Sequence, residues 1–104
     1  MQQFGTKTPW ETRNYEMDFS QLLAADETIT GVTTVSVSVL SGTDPDPSAM
    51  ILGGASIDST GKIVMQSLIG GIDGVQYLVS YQVNSNEREG IEGQAGLPVN
   101  AVLR

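Results

Sequence analysis

The chain contains neither cysteine nor histidine. Without cysteine there is no disulfide framework, no thiolate metal site and no thiol nucleophile. Without histidine, the usual general base near neutral pH and the commonest metal ligand are both missing. A Ser or Thr nucleophile would need a Lys or carboxylate base, and no spacing in the chain offers one. Charge is also scarce, at 16% of residues, and small neutral polar residues take its place. A surface of that kind suits strands and turns better than exposed helices, which favour Lys, Glu and Arg. Positive charge is scarcest: 5 Lys+Arg stand against 12 Asp+Glu, for a formal net charge of −7. Such a field repels phosphate backbones and anionic lipid, so neither nucleic acid nor a membrane surface is an expected partner. It leaves two uses for the acid, solubility or docking on a basic protein surface. No apolar run approaches the roughly 20 residues of a spanning helix. Met1-Gln2-Gln3-Phe4-Gly5 lacks the charged and apolar blocks of a signal peptide, so synthesis in the cytoplasm without ordinary secretion is expected. At 104 residues the chain has room for one domain and one modest core.

What is present is alternation with a period of two. Tyr15, Met17 and Phe19 share one face, with Glu16 and Asp18 on the other. Val35, Val37 and Val39 alternate with Thr34, Ser36 and Ser38. Val75, Tyr77, Val79, Tyr81 and Val83 form the longest and cleanest stripe, which suits a strand in mid-sheet. Shorter strands are predicted at Thr28 to Thr30, Ser48 to Leu52, Lys62 to Leu68, and Gly90 to Leu97, the last with Ile91, Ala95 and Leu97 inward. The spacing fits a β-sandwich of about seven strands. Ser20 to Ala25 could form one helical turn with Ser20 as its N-cap, too short to stand alone.

Turn residues fall where the strands stop, and none of them builds a catalytic or ligand motif. Pro45 and Pro47 fix φ and remove donors, which keeps the 41–47 segment out of helix and central strand. Asp58-Ser59-Thr60-Gly61 reads as a hairpin turn, and Asn84 to Gly90 as a polar hairpin loop. Gly61-Lys62 is not a phosphate loop, because Ser56 and Ile63 replace the required Gly and Ser/Thr. The Gly70–Gly74 stretch leads into a strand with no helix after it, unlike a dinucleotide fingerprint. Asp44 and Asp46 lack the downstream bidentate Glu and central Gly of a calcium loop. Glu87, Glu89 and Glu92 cluster along one hairpin instead of facing each other across a cleft, as glycosidase carboxylates must. Catalytic, metal and cofactor residues are therefore expected to be absent.

The ends differ from the middle. Residues 1–12 read as an N-terminal arm, 13–99 as the sandwich and 100–104 as a C-terminal tail. Arms of this kind either fray or order against a neighbour. Trp10 is either a contact anchor or a lid over one end of the sandwich.

Asp73-Gly74-Val75-Gln76-Tyr77-Leu78-Val79 resembles the start of strand F in an immunoglobulin-like sandwich. The resemblance implies that Tyr77 bonds back to the corner, that Gly74 shapes the approach, and that Val79 takes the inward position held by the second Cys in antibody domains. A second resemblance spans about Lys7 to Val99. Tyr15 to Ser20, Leu22 to Ile29, Ser41 to Met50, Gly70 to Tyr77 and the closing hairpin are together similar to small immunoglobulin-like structural proteins of tailed bacteriophages. That resemblance implies a non-enzymatic virion component, assembled in the host cytoplasm. The leading expectation is a capsid decoration (cement) protein or a head–tail neck component. It would bind the major capsid protein or a connector and self-associate in symmetric copies. The alternatives are a glycan-binding adhesion module of a head or tail fibre, and a tail-tube or baseplate part. The partner-binding candidates are Phe4 and Trp10 as anchors, with acidic Asp44, Asp46, Glu87 and Glu89 facing solvent or a basic partner.

Overall fold

The computed structural model describes residues 2–101. Seven strands form two sheets: β1 (Gln2–Gln3), β2 (Thr12–Asp18), β3 (Ile29–Ser41), β4 (Ile51–Ile57), β5 (Ile63–Ile69), β6 (Gln76–Ser85) and β7 (Ile91–Pro98), with a short 3-10 turn at Pro47–Met50. One sheet runs β1-β7-β6-β3 and the other β2-β5-β4. Every pairing is antiparallel except that of β1 with β7. Lettered in chain order, these are sheets A-G-F-C and B-E-D. That is the immunoglobulin-like arrangement, with the first strand on the C-F-G side.

The core follows from the alternation. Tyr15, Met17 and Phe19 from one sheet meet Val75, Tyr77, Val79, Tyr81 and Val83 from the other, all buried. The β6 stripe is buried along its length because β6 lies between β7 and β3. On β7, Ile91, Ala95 and Leu97 point inward as their pattern predicts. The β4–β5 turn closes as read, with Gly61 at φ 72 and its N–H donating to the Asp58 carbonyl at 3.1 Å.

Two local expectations are corrected. Thr28 to Thr30 is no separate edge strand, since Ile29 and Thr30 begin the long β3, where register shifts near Gly31 and Thr34 let one strand bend without breaking. Ser48 to Met50 is not extended, because Pro47 starts a 3-10 turn and β4 begins only at Ile51. The β4–β5 pairing carries a bulge between Leu52 and Ser56. There the buried Gln66 amide reaches the carbonyls of Leu52 and Gly53 at 3.1 and 3.2 Å, which explains a polar side chain on an otherwise apolar inner face.

The segment before β2 lies along the sandwich. Gln2 and Gln3 pair in parallel with Ala95 and Gly96, and Phe4 N–H donates to the Gly96 carbonyl at 2.8 Å. Lys7 bridges to Val99. Of the C-terminal tail, Asn100 and Ala101 are held by hydrogen bonds to Lys7 and Asp73, while residues 102–104 lie outside the described residues.

Candidate functional site

Antiparallel pairing gives the sandwich two ends. The lower end collects the starts of β2, β4 and β6 and the finishes of β3, β5 and β7; the upper end collects the others.

At the lower end, Tyr77 makes the corner that the resemblance implies. Its Oη donates to Asp44 Oδ2 at 2.7 Å and accepts from the Ile72 N–H at 2.9 Å. Burial, with the Asp44 carboxylate beside it, pushes the phenol up to about 12. Asp44 Oδ1 also accepts the Asp46 N–H, and Asp46 accepts the Ser48 hydroxyl. Both acids therefore brace the 42–48 loop, Asp44 half-buried against the corner and Asp46 exposed. Gly71, at φ 99, lies where a Cβ would come within 2.9 Å of a Val99 methyl. Gly74 takes φ 84 in open space, so backbone conformation alone favours glycine there. Val79 is fully buried two residues beyond the corner.

Beside this corner stands a braced turn. Lys7 is fully buried, and its ammonium donates to the carbonyls of Thr8 at 2.8 Å and Gly70 at 2.6 Å. Burial pulls its pKa below the usual lysine value. Glu11 Oε1 accepts the Thr8 N–H at 2.7 Å, and that bond holds its carboxyl below the ordinary range. The turn from Thr8 to Glu11 is thus fixed at both feet, and Trp10 stands on it 71% exposed. It is not a lid. Phe4, by contrast, packs inward, its ring 4.7 Å from that of Tyr15, which also carries the Arg13 guanidinium over its face.

More apolar surface is exposed at the same end as Trp10. Thr12, the first residue of β2, pairs with Ile69, the last of β5. Ile69 and Ile72 are both exposed and rim a concavity of about 330 Å³ that is floored by Met50 and Gly71 and bordered by Asp44 and Asp46. Among the described residues six large hydrophobic side chains are exposed, and five of them (Trp10, Leu40, Leu52, Ile69 and Ile72) sit at or near the lower end.

The upper end is sealed by polar chemistry. Glu27 is buried, and Arg88 grips it with two donors at 2.8 and 2.9 Å. Ser85 and the Ala24 N–H complete its partners. These hydrogen bonds, Arg88 foremost, hold the Glu27 carboxyl down to about 2. Arg88 and Lys62 also reach the carbonyls of Leu22, Ala24, Ala25 and Glu27. Glu87 and Glu89 flank Arg88 on the exposed hairpin loop, at the opposite pole from Trp10. A larger groove of about 680 Å³ opens between the end of β2 and the start of β7, bordered by Asp18 and Glu92.

The sequence candidates therefore divide. Trp10, Asp44 and Asp46 share the lower end, Phe4 lies inward beside them, and Glu87 and Glu89 are remote. Sequence reasoning passed over Ile69 and Ile72. An isoleucine among the glycines of the 70–74 turn was the available signal, because such a turn has no core face to hide it.

A family model described as podophage GP4 fiber-tail adaptor protein gp77 matches residues 7–97. No curated protein and no solved structure is matched. The chain belongs to that podophage adaptor family, and is accordingly a structural protein of a phage particle.

Proposed function

With that membership as premise, we propose that the chain is a non-catalytic joint between a phage tail and its fibre, and that the lower end is a docking face. The observation that carries this reading is the braced Trp10 turn at the same end of the sandwich as exposed Ile69 and Ile72. A tryptophan held rigid before contact loses little conformational freedom on binding, which is the condition for a hot-spot anchor. Asp44 and Asp46 on the same rim, in a chain of net charge −7, fit a partner surface that is apolar with basic flanks. The adhesion alternative loses support: of its candidate aromatics, Tyr15 and Tyr81 are buried, leaving Trp10 without a second platform.

The test is capture of purified tail and fibre proteins, and separately of isolated capsid shells, by the wild-type chain and by the W10A/I72D variant. The joint reading expects tail or fibre protein to be captured by the wild type and lost with the variant. Capture of shells alone would replace it with the capsid decoration reading.

A further inference from the structure

We propose that β3 is a self-association edge, along which two copies pair antiparallel about a two-fold axis midway between their Val37 residues. Among the described residues β3 pairs with β6 alone, so its other side presents unpaired backbone groups. The remaining edge strands are protected in recognised ways. β1 is two residues long, β2 carries Arg13, Glu16 and Asp18, and β4 is bulged with Gly53 at φ 72. β3 has 13 residues with no charge and no proline. Bulges shield its ends, but Thr34 to Val39 pairs with β6 without a shift and is straight enough to template another strand.

The occupant follows from the sequence of that straight run. In Thr34-Val35-Ser36-Val37-Ser38-Val39-Leu40, a two-fold at Val37 sets Val35 opposite Val39, Val37 opposite itself, and Ser36 opposite Ser38. Apolar meets apolar on the inner face, while on the outer face Ser36 meets Ser38 and, at the ends of the run, Thr34 meets Leu40. Val35 and Val39 are only half-buried in the single copy, whereas Val79, Tyr81 and Val83 on neighbouring β6 are fully buried, so the second strand supplies cover the fold lacks. Two copies of net charge −7 repel each other elsewhere, and this strand is the long edge that brings no charge to the meeting. Antiparallel pairing also points the two lower ends in opposite directions, giving a dimer with a docking face at each pole. That consequence rests on the proposed role of the lower end; the pairing itself does not.

The test is sedimentation equilibrium of the full chain across a range of concentration and salt, with circular dichroism to confirm folding. Wild type is expected to dimerise. S36K/S38K puts like charges opposite each other twice per interface and should raise the dimer dissociation constant about tenfold or more. S36K/S38E has the same bulk but places opposite charges face to face in this register, and should restore dimerisation. A wild type that stays monomeric throughout overturns the proposal, as does a dimer indifferent to both variants. Neither result touches the capture assay for the lower end, so the two readings fail separately.

Discussion

The two ends of this sandwich are closed by different chemistry. At the upper end a guanidinium and a lysine donate to the carbonyls of Leu22, Ala24, Ala25 and Glu27, a buried carboxylate holds that guanidinium, and among the described residues one large apolar side chain there, Leu22, is left exposed. At the lower end a tyrosine hydroxyl and a buried ammonium hold the loops in place, yet Trp10, Ile69 and Ile72 stay in water. Both ends spend polar groups on order, but only the lower one uses that order to display apolar surface. Order without burial is what a contact face requires before its partner arrives.

The comparison is tested most severely by truncating one aromatic at each end. Phe19 closes β2 at the upper end, is fully buried, and lies so near Gly93 that a Cβ there would meet its ring at 2.9 Å. Phe19→Ala is expected to cost about 3–5 kcal/mol in denaturant unfolding. A loss below about 1 kcal/mol would mean that the upper end is not packed as described.

The corner is next. Tyr77→Phe keeps the ring but leaves the Ile72 N–H and Asp44 without their shared partner, and should cost about 1–3 kcal/mol. Because the folded phenol is raised to about 12 from 10.0, its contribution is complete below pH 10 and fades as pH rises toward 12. The alkaline unfolding of Tyr77→Phe should lack that component.

The corner was legible in sequence, and the brace beside it was not. Tyr77 and Val79 lie on an alternating stripe whose period reveals the inward face, and Gly74 marks the turn before it. The same period exposed Tyr15, Met17 and Phe19. Lys7 gave no such sign, since lysine is ordinarily exposed and its burial depends on the Gly70 carbonyl, 63 residues away. Glu27 and Arg88 are 61 residues apart, in segments with no periodicity. β1 escaped because two residues show no alternation, and its place is fixed by backbone bonds to β7. Local pattern thus revealed what faces the core, and missed polar pairings set by chain crossings.

The Glu27–Arg88 pair makes a pH prediction for the upper end alone. Its carboxyl is held at about 2 when folded against 4.5 otherwise, so its stabilisation is complete above pH 4.5 and is lost as pH falls toward 2. Arg88 is 51% exposed, so water and salt screen the pair, and the effect should be smaller than that of Phe19→Ala and should shrink in salt. Arg88→Ala should lower the melting temperature at pH 7 and flatten the decline below pH 4.5. An unchanged acid limb would remove the pair from the account of the upper end.

The smallest effect on stability is expected at the residue with the largest exposed aromatic surface. Trp10 projects from a turn that Lys7 and Glu11 hold through neighbouring backbone groups, so Trp10→Ala leaves those braces in place and removes little buried area. Its stability cost should stay within about 0.5 kcal/mol, the range of ordinary surface changes. If Trp10 is an anchor, the same variant should weaken partner capture by about tenfold or more, since truncated hot spots cost upward of 2 kcal/mol in binding. Phe19→Ala is the mirror case, a stability loss with no contact surface removed. Loss of capture by Trp10→Ala with an unchanged melt would separate display from packing. A substantial fall in its melting temperature would show Trp10 to be part of the fold, and the contrast between the ends would vanish.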